Sequence, residues 1–344
     1  MSQLEELITT IPEYITKTKI PNPIHTQNVN SSATIQESKN KYFPTQIVEF
    51  IQNNLADKLS FSGTTPIHYK CNFYCYGKTI PLDKLQKQMK CVIWWLSTLH
   101  KYSKDKCNDL LLEVYLTPFK KELLPNNGPL SAINCNTGFT TRCDMGHTIM
   151  VYREEEWFKV FLHESIHYFG LDFAYSQPPS LGASLKNMFC ISSEINLYEA
   201  YTEFWAEMIL MMLHSVIHSD NLSTTIRKQK KYGLEQAKKV LRNQNVTYLQ
   251  MLDPSNSLSC KYRENTNAFS YYVLTSLFMF YHKEFIKWCV DNNTNLLQFN
   301  NNSFPSLLEW INLHYKEPAF IEAIDSPPFS SSACLRMTSP TITI

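Results

Sequence analysis

The chain has 344 residues, 44% of them hydrophobic and 18% charged, enough to bury a sizeable core and too apolar for a disordered polymer. Its formal net charge is +1, from 32 basic and 31 acidic residues, with no long basic block. That balance offers no electrostatic footprint for nucleic acid or an anionic membrane, so function is to be sought in a site and not in a charged surface.

The N-terminal stretch MSQLEELITTIPEYITKTKIPNP carries Glu5 and Glu6 and lacks the basic start, apolar centre and small-residue cleavage site of an export signal. Secretion is not expected, and a cytoplasmic location is. Residues 1–40 mix Ser, Thr, Asn and Pro behind a short amphipathic start and read as a partly ordered extension. FPTQIVEFIQNNLADKL, 43–59, predicts a helix. PIHYKCNFYCYGKTI, 66–80, is rich in aromatics with rough alternation and predicts a strand or hairpin. PLDKLQKQMKCVIWWLSTLHKY, 81–102, opens on Pro and spaces its apolar residues at helical intervals.

LLLEVYLTPF, 110–119, predicts a strand ended by Pro118, followed by a turn-rich connection with Pro125, Asn126, Asn127, Gly128 and Pro129. GHTIMVYR, 146–153, is a second strand. EEEWFKVFLHESIHYFG then predicts a helix whose three leading glutamates suit the positive end of a helix dipole. Further helices are predicted over about 193–218, 222–243, 264–290 and 304–314, with an Asn-rich loop at 291–304 and a loop at 174–190. The longest apolar runs, WAEMILMMLHSVIH and AFSYYVLTSLFMFY, fall short of the roughly 20 residues that span a bilayer, and no membrane partner is expected.

Ten cysteines (Cys71, Cys75, Cys91, Cys107, Cys135, Cys143, Cys190, Cys260, Cys289 and Cys334) are scattered without a dense framework. In a chain without an export signal they are expected to be reduced thiols, many of them buried. Cys71 and Cys75, in CNFYC, are read as strand or loop cysteines, because no matching Cys/His pair sits at zinc-ribbon spacing.

Chemistry concentrates in HESIHYFGLDF, 163–173. On a helix, His163 and His167 lie four residues apart on one face, able to converge on one cation. Glu164 sits beside them and reaches a water on that cation without being a ligand. Zinc held by three protein groups keeps a fourth position for water and lowers its pKa to about 7, and the carboxylate takes the proton as the water attacks a carbonyl.

The third ligand is the open question. His163, Glu164, His167, Gly170, Leu171 and Asp172 resemble the metzincin signature, but Phe173 stands where that family's last ligand belongs, and Asp172 comes one residue early. Further on, INLYEAYTEFWAEMI, 195–209, resembles the gluzincin pattern, which includes the thermolysin-like enzymes. That resemblance implies that Glu199 ligates zinc, that the small Ala200 lets two helices approach, and that Glu203 hydrogen-bonds a liganding His. Glu203 and Glu207 repeat the same spacing, so Glu203 is the alternative ligand. The three glutamates also form one helical stripe that a solvated face would show, but their neighbours Tyr198, Tyr201, Phe204, Trp205 and Met208 predict a buried helix whose acids need cations. The likeness spans about residues 146–210, and VYREEEWFKVFLHESIHYFGLDF also looks like uncharacterised zinc-peptidase-like proteins of large DNA viruses.

A peptidase needs a donor for the developing oxyanion. Of Tyr271 and Tyr272 in NAFSYYVLTSL we assign Tyr272. His147, His214 and His218 are read as structural or exposed. No Gly-rich phosphate loop or Gly-x-Ser-x-Gly elbow occurs, which leaves NTP hydrolysis and serine esterase chemistry without support.

The resemblance thus implies an α+β, zincin-like fold: a small twisted sheet, an active-site helix and a mainly helical C-terminal part. The expected organisation is an extension over 1–40, a sheet-bearing subdomain with the motif helix over 41–175, and a helical subdomain carrying the third ligand over 176–344. The expected function is zinc-dependent hydrolysis of peptide or protein substrates with Glu164 as general base, and the alternative is an inactive scaffold in a structural or host-interaction role. The backbone of strand 147–152 is expected to pair with an extended substrate.

Overall fold

The computed structural model describes residues 3–31, 40–78, 81–104, 107–124, 128–253, 262–326 and 331–344. Helix α1 (Gln3–Lys17) and strand β1 (Ile24–Val29) come first, then α2 (Thr45–Asn53), β2 (Ala56–Gly63), β3 (His68–Cys75), α3 (Leu82–Tyr102) and β4 (Asp109–Leu116). A one-turn helix, α4 (Ala132–Cys135), leads into β5 (Gly138–Thr140), β6 (Thr148–Val151) and the motif helix α5 (Trp157–Tyr168). The rest is helical: α6 (Pro179–Phe189), α7 (Leu197–His218), α8 (Leu222–Asn243), α9 (Tyr248–Met251), a π-helical turn Phe269–Leu274 running into α10 (Thr275–Phe280), then α11 (His282–Asn292), α12 (Phe304–His314) and α13 (Pro318–Asp325). The class is α+β, as expected.

The six strands form one mixed sheet in the order β1-β2-β3-β4-β6-β5. β3, β4 and β6 run parallel, while β2 against β3 and β5 against β6 are antiparallel. β4 reads LLLEVYL and is apolar on both sides because helices cover both faces. On one face Ile47 and Ile51 of α2, with Phe43 just before it, pack against Tyr74, Tyr115, Met150 and Tyr152. The main core covers the other face and is continuous from α1 through the sheet into the C-terminal helices.

Two helices occupy the centre of that core. Eleven of the 12 residues of α5 and 18 of the 22 residues of α7 are buried, as helices apolar around most of their circumference must be. Ala200 and Ala206 on α7 are fully buried.

Several expectations are corrected. The helix expected over 43–59 ends at Asn53, because the chain beyond it is β2, in which Leu59 and Phe61 alternate into the main core and Asp57–Gly63 pair with β3. The expected extension is part of the body: α1 buries Leu7 and Ile11, Trp94 Nε1 donates to Thr10 Oγ1, and β1 joins the sheet. The loop expected at 174–190 contains α6, and the helix expected over 264–290 breaks at Tyr281. Glu154–Glu156 precede α5 and do not form its first turn; Glu156 caps it in the left-handed region and pairs with buried Lys121.

Cys107 and Cys143 form a disulfide rather than two thiols, since the fold brings β4's start beside the loop that follows β5. Cys71 and Cys75 are buried and free on β3. Cys260 and the turn residues Pro125, Asn126 and Asn127 lie outside the described residues. Among the described residues no helix is long and apolar enough to cross a membrane.

Candidate metal centre

α5 is held from three sides, and each contact orients the motif. On its rear, Trp95 Nε1 on α3 donates to Ser165 Oγ, which in turn donates to the Leu162 carbonyl. α7 covers the side that carries His163. β5 lies against the face with Glu164, where a Cβ on Gly138 would come within 2.8 Å of the Met150 carbonyl oxygen and 3.2 Å of Glu164 Cγ. Glycine is what allows the strand so close.

The helix stops at Gly170, whose φ of 61° lies in the left-handed region. Leu171 N–H donates back to the Ile166 carbonyl at 3.1 Å, closing the helix in a Schellman-like turn. That turn sends Phe173 into a cluster with Tyr201, Phe299 and Phe304, in keeping with its expected packing role. It also returns Asp172 to the motif, so that Asp172 Oδ2 accepts from His167 Nδ1 at 2.6 Å.

Three donor atoms converge. His163 Nε2 and His167 Nε2 are 3.1 Å apart, and each is 3.2 Å from Glu199 Oε2. Tetrahedral zinc with bonds of about 2.05 Å requires donors about 3.3 Å apart, so the near-equilateral triangle matches one face of such a site. No other described group of His, Cys, Asp or Glu is arranged to hold a metal.

The outer atoms of all three groups are engaged. His163 Nδ1 donates to Glu203 Oε2 at 2.9 Å, as the resemblance implied, and Glu199 Oε1 accepts from Asn267 Nδ2 at 2.8 Å. With Nδ1–H donated to a carboxylate on each imidazole, each Nε2 faces inward, the nitrogen a metal ligand would use. Of the three glutamates on α7, Glu199 is at the triangle, Glu203 is behind His163, and Glu207 is buried further along the helix.

The local charge favours a cation. Burial alone would discharge His167, but Asp172 and Glu199 more than offset it and raise its pKa well above the ordinary value. Burial also opposes charge on Glu199, yet the two imidazoles hold its carboxyl far below the usual carboxylate range. Three carboxylates (Asp172, Glu199 and Glu203) and one ammonium, Lys159, surround the two imidazoles, and a dication would bring the cluster to neutrality. The residues present fit a divalent metal, and an N,N,O donor set suits zinc.

The triangle opens onto a cavity of about 240 Å³ walled by Tyr42, Phe139, Tyr175, Tyr198 and Tyr271 and lined by Glu164. Burial raises the Glu164 carboxyl above its ordinary range, which suits a group that must exchange a proton near neutral pH. Two larger hollows, about 400 and 790 Å³, lie elsewhere, and neither contains the donor triangle.

Two sequence expectations fail here. Tyr272 does not face the cavity; its hydroxyl donates to the Leu335 carbonyl at 2.6 Å. Its neighbour Tyr271 lines the site, with its ring 5.8 Å from that of His163, because adjacent helical residues point in different directions. Strand 147–152 has no free edge at the site, since β6 is paired to β4 on one side and β5 on the other. The sheet edge beside the cavity is β5. His214 is structural, as expected, with its ring held between the Thr343 backbone and Asp220 Oδ2.

Asn267, Lys159 and the returning Asp172 escaped sequence reasoning as partners of the site. Only the Gly170 turn signalled one of them, by allowing the chain to double back. No protein-family model matches this chain, and no curated protein or solved structure is significantly similar to it.

Proposed function

We propose that this protein is a zinc-dependent metallopeptidase acting on peptides or proteins, with His163, His167 and Glu199 as the zinc ligands. The observation that carries the reading is the donor triangle opening onto a cavity lined by Glu164; a purely structural zinc site has no need of that carboxylate. Zinc at such a site acts as a Lewis acid on a carbonyl and brings the pKa of water to about 7.

The chain's own residues supply the rest. Asp172 and Glu203 hold the two imidazoles with Nε2 facing the cavity. A Glu164 carboxylate oxygen takes a proton from water as its oxygen bonds to the peptide carbonyl carbon, then passes that proton to the amine nitrogen as the C–N bond breaks. The Tyr271 hydroxyl, raised well above its ordinary pKa by burial and then by Glu199 and Glu164, stays protonated and can donate to the developing oxyanion. The free edge of β5 at Gly138–Thr140 is placed to pair with an extended substrate.

The test is metal analysis of the purified full chain, followed by a peptide-library cleavage assay with and without chelator. Stoichiometric zinc and chelator-sensitive cleavage are expected, with Glu164→Gln retaining zinc and losing hydrolysis. Activity that survives Glu164→Gln overturns the mechanism. Stoichiometric zinc with no cleavage of any peptide favours the inactive scaffold instead. A cytoplasmic setting belongs to the same proposal and has the Cys107–Cys143 disulfide against it, since reducing compartments rarely keep such a bond; thiol labelling of protein taken directly from cells tests it, reactive Cys107 and Cys143 supporting the setting and a protected pair overturning it.

A further inference from the structure

Lys159 lies one helical turn before His163 on α5, so both side chains leave the same face. Each reaches a different oxygen of one carboxylate: Lys159 Nζ is 2.6 Å from Glu203 Oε1, and His163 Nδ1 is 2.9 Å from Glu203 Oε2. The lysine and glutamate side chains are 2% and 1% exposed. The C-terminal segment seals this pair: Met337 Sδ is 3.1 Å from Lys159 Nζ, and Glu156 fixes the segment by accepting the N–H groups of Met337 and Thr338.

A buried ion pair is a poor device for stability, because desolvating two charges offsets their attraction and an apolar pair of the same volume does as well or better. What this pair does provide is orientation. A carboxylate bonded through one oxygen alone can rotate, whereas Glu203, bonded at both, has its plane and its distance to His163 set. The imidazole inherits that constraint.

We propose that Lys159 is a positioning residue of the metal centre, acting through Glu203 to hold the His163 ring with Nε2 on the metal. The inference rests on the metal-site reading above but not on peptidase activity. Outer partners of liganding histidines typically change metal affinity 10- to 100-fold, and Lys159 acts one bond further out, so a loss of about 10-fold is expected.

The experiment is chelator competition for Zn²⁺, with Co²⁺ absorption as a second readout, on the full chain and on Lys159→Met, Glu203→Gln and the double variant, with folding followed by circular dichroism. Lys159→Met should weaken metal binding about 10-fold and alter the cobalt spectrum. Once Glu203→Gln is present, adding Lys159→Met should change affinity no further, whereas a residue that merely stabilises the fold would act in both backgrounds. Should Lys159→Met fail to fold, Lys159→Gln retains a donor without the charge and is expected to show the same loss, only smaller. Unchanged affinity in a folded Lys159 variant, or additive losses in the double variant, overturns the proposal alone. Absence of metal binding by the unaltered chain overturns the metal-site reading with it.

Discussion

Asp172 Oδ2 lies 2.6 Å from His167 Nδ1, so the acid that stands one position before the metzincin ligand position sits behind His167 and outside the donor triangle. The Gly170 turn delivers it there, and Phe173 anchors the turn in the aromatic cluster. Glu203 does the same for His163 from a different helix. Each imidazole is thus clamped between an outer carboxylate and the donor triangle.

That clamp makes Asp172 separable from the ligands. Asp172→Ala should leave the chain folded, because the change falls in a turn, and weaken zinc affinity by roughly 10- to 100-fold. Isothermal titration of the metal-free protein reads this directly. An affinity within threefold of the unaltered chain would contradict the role.

The two adjacent tyrosines give opposite predictions. Tyr271→Phe removes the hydroxyl that faces the cavity and should lower kcat by about 10²- to 10³-fold, the range for loss of one oxyanion donor, while KM changes little. Tyr272→Phe removes a hydrogen bond to the Leu335 carbonyl and should cost about 1 kcal/mol of stability with kcat preserved. Steady-state kinetics and denaturant unfolding on both variants discriminate; equal kcat losses would refute the assignment.

Away from the donor triangle, Glu264 should make stability depend on pH. Burial raises its carboxyl to about 8, against the opposing pull of the Tyr262 hydroxyl and the Phe269 and Ala268 amides. A folded-state pKa above the unfolded one means the native protein binds the extra proton. The stabilisation is therefore fully present below the unfolded value of about 4.5 and is lost as pH rises through about 8. The expected loss is on the order of a few kcal/mol, or several degrees in Tm. Thermal unfolding between pH 5 and about 9 should show a slope in the unaltered chain that Glu264→Gln flattens; an identical slope in both would rule this out.

The sequence alone determined what is local. The i,i+4 spacing of His163 and His167 places two donors on one face of any helix they form, and α3, α7, α8 and α12 follow from apolar periodicity read over many turns. The kind of third ligand was legible too, as an acidic stripe on a helix too apolar to be exposed. Which member of the stripe joins the two imidazoles was not: Glu199, Glu203 and Glu207 share one spacing, and only the rotation of α7 against α5 brings Glu199 to both Nε2 atoms. The same limit hid β5, whose three residues are too few to show an alternation, and reversed Tyr271 and Tyr272, which differ by one step around a helix. Periodicity fixes faces within an element, but the angle at which one element meets another depends on side chains distant in sequence, and at this site that angle chose the glutamate at the donor triangle, the cavity-facing tyrosine and the sheet edge beside the cavity.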